Sequence, residues 1–269
     1  MVGETSGLDY RDLEVAPTLR YAIDMTDPKP SGSADQTSNR DLLAEIAVMA
    51  LAVLLIARFG QQTPLMSGLM AGLIIARFLI LNRKGDWMFF VLGVVLGGGN
   101  DLLSMWKGVY RYTPPTFLPV PIPLWVVFFW GQVFVSFRKL MRWGPFRGPD
   151  QPPARLLDAP LALDILIAVI YRLVIYRTAA QPWVPDALFA AILAVRVILI
   201  PPPPHERLLM IAMLVIGPAY EILLIGSGLY LYQTGVLLGM PLWLIVYWVF
   251  IIRALKAVFD RVEYFIVKG

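Results

Sequence analysis

The sequence has no cysteine and a single histidine, His205, which follows four consecutive prolines. Without cysteine there are no disulfides, iron–sulfur clusters or thiolate catalysis. One imidazole and no thiolate leave no ligand set for a histidine-rich di-iron or zinc centre. A carboxylate-only Mg²⁺ site stays open on composition alone, and no cofactor is expected. Charge is also scarce: 16% of residues are Asp, Glu, Lys or Arg, with a net charge of +4. Lys and Arg gather at the ends of apolar runs, as membrane topology demands, so no nucleic-acid partner is expected. Residues 1–40 lack the apolar core of a signal peptide. They are polar and rich in Asp, Ser, Thr and Pro, and read as a cytoplasmic tail, flexible or docked on a protein partner.

What the chain has is apolar length. Of its 269 residues 58% are hydrophobic, and the mean hydropathy is +0.67, whereas soluble domains sit nearer roughly 45–50% apolar. A spanning helix needs about 20 mostly apolar residues. Eight such runs are present, at 41–59, 64–82, 86–110, 118–140, 160–178, 183–200, 206–230 and 238–260. They predict an all-α polytopic membrane protein with eight transmembrane helices. The basic, proline-rich stretch Arg138 to Pro160 reads as a linker between the fourth and fifth. Arg83, Lys84, Arg138, Lys139, Arg142, Arg147, Arg155, Arg207, Arg253, Lys256, Arg261 and Lys268 fall on one side if both termini are cytoplasmic. The expected location is the bacterial inner membrane.

The second half repeats the first. With a shift of 119 residues, Glu45 lands on Asp164, Arg58 on Arg177 and Arg77 on Arg196. With 120, Asp86 lands on Glu206, Gly97 on Gly217, Asp101 on Glu221, and Gly108, Tyr110 and Tyr112 on Gly228, Tyr230 and Tyr232. With 118, Pro123-Leu124-Trp125 lands on Pro241-Leu242-Trp243, Trp130 on Trp248 and Arg138 on Lys256. So many charges in register predict an internal duplication: a tail (1–40), a four-helix repeat (41–140), a linker (141–159) and a second four-helix repeat (160–269). Four helices are an even number, so the repeats are parallel, related by a pseudo-two-fold axis along the membrane normal.

Ionisable groups within membrane helices raise functional hypotheses. Counting about 1.5 Å per residue places Glu45 about 6 Å and Arg77 about 7 Å from the cytoplasmic end, so they can pair, as can Asp164 and Arg196. Structural salt bridges, or arginines snorkelling to headgroups, explain these. Asp101 at about 22 Å and Arg58 at about 25 Å share a depth on the outer side, as do Glu221 and Arg177. Either these are further structural pairs, or Asp101 and Glu221 are acids in a cavity with a tyrosine two to three turns above. A buried carboxyl tends to stay protonated, and that form donates H⁺ to an alkene, enol ether or epoxide. Arg172 breaks the repeat, lying mid-helix where the first copy has Val53. It needs a partner or a cavity: an anionic group such as a lipid phosphate, or Glu221 across the bundle. Glycines and tyrosines in the Gly-x-Tyr-x-Tyr element suit close packing and the membrane interface. Trp125, Trp130, Trp243 and Trp248 are packing aromatics or the walls of a pocket that stabilises a carbocation. Gly97-Gly98-Gly99 reads as close helix packing or a kink.

The pattern Asp101…Gly108-Val109-Tyr110-Arg111-Tyr112-Thr113…Val120-Pro121-Ile122-Pro123-Leu124-Trp125 resembles the signature of integral membrane carotenoid-biosynthesis proteins of the bisanhydrobacterioruberin hydratase type. More loosely it is similar to the heterodimeric-type membrane lycopene cyclases. The resemblance implies metal-free acid chemistry on polyene ends. Asp101 and Glu221 would be the acids, and Tyr110, Tyr112, Tyr230 and Tyr232 pocket residues. Here Asp101 stands where that family has Glu, and its Pro-Phe-Gly approach to the tyrosines is missing. Three functions follow as expectations: a lipid- or isoprenoid-modifying enzyme (cyclase, hydratase or isomerase) with Asp101 and Glu221 catalytic and Tyr110, Tyr112, Tyr230, Tyr232, Arg58, Arg177 and Arg172 around the substrate; a non-catalytic membrane subunit of a larger complex; or a transporter.

Overall fold

The computed structural model describes residues 36–116, 121–148, 153, 155–181 and 183–267. Most of the tail 1–40 and part of the linker 141–159 lie outside these. Eight long helices are described: α1 (Asn39–Phe59), α2 (Thr63–Leu81), α3 (Asp86–Trp106), α4 (Leu124–Met141), α5 (Ala159–Thr178), α6 (Val184–Leu199), α7 (Pro204–Gly226) and α8 (Trp243–Val262). All but α6 and α8 are long and apolar enough to cross a membrane. Helix α6 has 16 residues, and α8 carries Arg253, Lys256, Asp260 and Arg261.

Local chemistry sets the helix ends. The Ser38 hydroxyl accepts the Asp41 N–H (3.1 Å) at the start of α1. The Asp158 carboxylate accepts the Leu161 N–H (3.0 Å) at the start of α5. These bonds satisfy donors that the first helical turn leaves free. Prolines occupy the first turns of α2, α5, α6 and α7, where no N–H is needed. Helix α3 carries a π-turn over Val94–Gly98.

The expected runs 86–110 and 206–230 are too long. Helix α3 ends at Trp106 and α7 at Gly226, because Gly108 and Gly228 each take φ = +70°, which reverses the chain. The tyrosine pairs then form two short strands, β1 (Tyr110–Tyr112) and β2 (Tyr230–Tyr232). The strands pair antiparallel, Tyr110 with Tyr232, Arg111 with Leu231 and Tyr112 with Tyr230. The all-α expectation is therefore corrected by one two-stranded ribbon. Exchanging the two copies maps this ladder onto itself.

Helix α4 packs against α1, α2 and α3, and α8 packs against α5, α6 and α7. Large apolar side chains point outward, Leu79 (82% exposed), Ile80 and Ile198 among them, while Glu45, Arg77, Asp86, Asp164 and Arg196 are buried. A soluble domain would invert this arrangement. It is the arrangement of an integral membrane protein, with lipid outside and paired charges within.

Those charges form clusters. Arg77 bridges Glu45 (3.1 Å) and Asp86 (2.7 Å). Asp86 also meets Arg138 and, at 3.4 Å, Lys139. Arg138 continues to Glu263 (2.8 Å) beyond the end of α8. Gln132 (2.6 Å) and Ser136 (3.0 Å) complete the shell of Glu45. In the second half Arg196 makes two bonds to Asp164 (2.6 and 3.1 Å), and Arg253 links Asp164 (3.5 Å) to Glu206 (3.0 Å). The Glu45–Arg77 and Asp164–Arg196 pairs form as the depth count expects. They are buried, so they are structural pairs and not snorkelling cations. Burial alone would raise the Glu263 carboxyl, but Arg138 and Arg142 outweigh it and hold it below the ordinary carboxylate range.

Removing one partner of a buried ion cluster costs about 3–5 kcal/mol. Asp86→Ala should lower the apparent Tm of the detergent-solubilised protein sharply, because Arg77, Arg138 and Lys139 all lose a partner. Glu263→Gln should cost less, since Arg138 keeps Asp86. The Glu263 contribution is present above the ordinary glutamate pKa and disappears as pH falls through the depressed value. The wild type should therefore lose an increment of stability on acidification that Glu263→Gln lacks, read by thermal denaturation across pH.

Candidate functional site

A glycine in the left-handed region, two residues before the tyrosine pair, turns that pair back along its own helix. The Tyr110 hydroxyl donates to Asp101 Oδ1 (2.6 Å) and the Tyr112 hydroxyl to Asp101 Oδ2 (2.9 Å). The Trp130 indole Nε1–H donates to the same Oδ2 (2.7 Å). Glu221 repeats the set: the Tyr230 hydroxyl and the Tyr232 hydroxyl (3.4 Å) donate to Oε2, and Trp248 Nε1–H donates to Oε1 (3.1 Å). The tyrosines therefore meet their acids directly instead of lying two to three turns above them.

A missing side chain seats each tryptophan. A Cβ on Gly97 would lie 2.5 Å from the Trp130 ring, and one on Gly217 would lie 2.6 Å from Trp248. Sequence alignment of the halves pairs these glycines and tryptophans, but their mutual contact is not readable from it. The two clusters meet through aromatic rings. Trp130 stacks on Trp248 (6.5 Å, 19°), and Tyr110 lies 5.2 Å from Tyr232 and 5.9 Å from Tyr230.

Both clusters line one cavity of about 830 Å³. Its wall is drawn from α3, α4, α5, α7, α8 and the strand pair, with none of its residues from α1, α2 or α6. Val95, Leu103 and Trp106 of α3 and Ile165, Val169 and Leu173 of α5 line it and are exposed on the outside too. The cavity thus opens sideways between α3 and α5, towards lipid. Most of its surface is apolar, and its polar features are the two acids, the tyrosines, Asp164, Asn100 and Arg172. The indole N–H groups of Trp125 and Trp243, also repeat partners, find no acceptor among the described residues. No group of His, Cys, Asp and Glu among the described residues could hold a metal ion.

Arg58 and Arg177 are not part of this site. Both are exposed, neither lines the cavity, and Arg58 lies over the Phe59 ring (5.6 Å). Equal depth on two helices fixes height but not direction, so the expected Asp101–Arg58 and Glu221–Arg177 pairs do not form. Arg172 does reach the cavity, yet it pairs with neither acid. It donates to Ser104 Oγ (3.1 Å) and to the Tyr247 hydroxyl, and lies over the Tyr247 ring (4.6 Å).

Gly97→Ala and Gly217→Ala should each push an indole off its carboxyl, at about 1–3 kcal/mol of overpacking strain. Both should shift tryptophan fluorescence and lower the Tm. Gly99→Ala, with nothing within 4 Å of its Cβ, should leave both unchanged.

The fold is similar to that of the mycobacterial Insig homolog MvINS from Mycobacterium vanbaalenii, with a TM-score of 0.53 and 22% identity over 67% of this chain and 94% of that one. A cross-linked MvINS trimer matches with a TM-score of 0.52, 22% identity and the same coverage. No curated protein matches the sequence. Residues 43–147 and 168–265 match the family described as protein of unknown function (DUF2878), and the chain belongs to that family.

Proposed function

We propose that this integral membrane protein binds one long apolar lipid, of isoprenoid type, in the cavity between its halves. The observation that carries this reading is the cavity itself. Its volume of about 830 Å³ falls within the roughly 300–1,000 Å³ of small-molecule sites, which join apolar walls to a few placed polar groups. The opening between α3 and α5 gives a lipid sideways entry without crossing the polar surface. Asp101, Glu221, Tyr110, Tyr112, Tyr230, Tyr232 and Arg172 are the polar contacts in this reading.

The scaffold we infer is two parallel four-helix repeats with eight spans and both termini in the cytoplasm of a bacterial inner membrane. Paired Glu45–Arg77 and Asp164–Arg196 bridges, and one acid–tyrosine–tryptophan set per half, support it.

A catalytic reading is favoured by one further feature. Phenol and indole donors surround each carboxyl, so once the acid has given its proton to an alkene or enol ether they stabilise the carboxylate, and loss of a proton from the resulting cation returns it. Asp101 and Glu221 would then be the proton donors of a metal-free cyclase, hydratase or isomerase, as the carotenoid-enzyme resemblance implies.

Mass spectrometry and an absorption spectrum of material purified from native membranes in mild detergent test both readings. A co-purifying isoprenoid or polyene supports the binding reading. A stoichiometric protein partner with no lipid would overturn it in favour of a non-catalytic subunit. If the chain is an enzyme, Asp101→Asn and Glu221→Gln should retain the lipid and lose its conversion. Conversion that persists in both variants removes the acids from the chemistry.

A further inference from the structure

The duplication supplies an internal control. What both halves keep is the acid with its two tyrosines and its tryptophan. What only one half has is Arg172, and its two partners share that asymmetry. Arg172 aligns with Val53, Ser104 with Leu224 and Tyr247 with Phe129. Three polar side chains from α5, α3 and α8 converge here, Arg172 and Tyr247 in the cavity wall and Ser104 fully buried beside Arg172, and all three counterparts are apolar. The corner equivalent to Tyr247 is filled instead by Phe129, stacked on Tyr220 (5.6 Å, 16°).

Arg172 makes no direct bond to either acid. The oxygens of Asp101 and Glu221 receive tyrosine and tryptophan donors. Among the described residues Arg172 forms no ion pair, and its bonds go to two neutral oxygens. A guanidinium has five donors, so donors remain for an incoming group. A cation in a largely apolar membrane cavity that makes no direct ion pair is costly, and such residues mark ligand sites.

We infer that Arg172, set by Ser104 and Tyr247, is a head-group subsite that selects an anionic lipid: a single long apolar chain ending in a carboxylate or phosphate. This rests on the lipid-cavity reading above and names the ligand class for it. The head group lies beside Arg172 and Tyr247 near the α3–α5 opening, and the apolar chain runs along the aromatic floor. A two-fold scaffold thereby holds a ligand with one polar end.

The test uses the purified full chain in detergent and two fluorescent probes, cis-parinaric acid and its methyl ester, titrated against a protein-free micelle background. Charge-assisted bonds to an anion are worth more than neutral ones, so the wild type should bind the acid about tenfold more tightly than the ester. Arg172→Gln should abolish that preference while ester affinity stays within about twofold, and Arg172→Lys should keep most of it. Competition by a polyprenyl phosphate against the matching polyprenol then separates a phosphate head group from a carboxylate. Equal wild-type affinity for acid and ester, or a preference that survives in Arg172→Gln, overturns the subsite. The wild-type comparison stands even if a variant fails to fold. If neither probe nor the polyprenol and its phosphate bind, the cavity reading itself fails, an outcome distinct from ester binding without preference.

Discussion

A carboxyl group buried in a membrane bundle has to be met by hydrogen-bond donors, and this chain meets that demand twice in the same way. Asp101 and Glu221 are both buried, and an unsatisfied buried acid is costly. The donors are two phenols and one indole per acid. Much of the centre follows from placing them. The glycines at 108 and 228 take φ = +70° so that the chain can return. The strands pair because two returning segments meet at the axis and must satisfy each other's backbone. Glycines 97 and 217 give up a side chain so that an indole can lie flat and reach its acid.

The duplicated unit is not used symmetrically. At the charged ends the halves diverge in detail: Arg138 joins Asp86 to Glu263, whereas its counterpart Lys256 pairs with Asp260 (2.8 Å). At the cavity they diverge in kind. Helix α5 contributes eight wall residues, from Leu161 to Tyr176, and its counterpart α1 contributes none. Helix α1 packs instead against α7. One of the two symmetry-related gaps is therefore the lateral opening, and the other is closed by packing.

The helices and their buried ion pairs were legible in the sequence because both rest on short-range rules. Apolar length marks a membrane helix, and Glu45 and Arg77, or Asp164 and Arg196, share a depth across one hairpin. The aromatic centre was less legible for a reason of geometry. Apolar residues run on past Trp106 and Gly226, so counting by hydropathy carries the helix through Gly108 and Gly228 and sends the tyrosines to the interface. Only the backbone at those glycines reveals the reversal. Arg58 and Arg177 show a second limit: depth is a count along the helix, whereas contact also needs rotation about it, and these two side chains turn outward. The duplication identified the acids, tyrosines and tryptophans as a recurring set without showing that they touch.

A fold shared at 22% identity with an Insig homolog fixes how the helices are arranged and leaves chemistry to the side chains. Here those side chains make two equivalent acids unequal. In the proposed site a ligand entering between α3 and α5 meets Arg172 near the opening, with no symmetric counterpart of it on the far side. With the polar end held there, Asp101 and Glu221 would face different parts of one molecule. Duplication alone would give two half-sites or one symmetric site. Three polar substitutions at one corner, with the closure of the opposite gap, turn that symmetric cavity into a directional one.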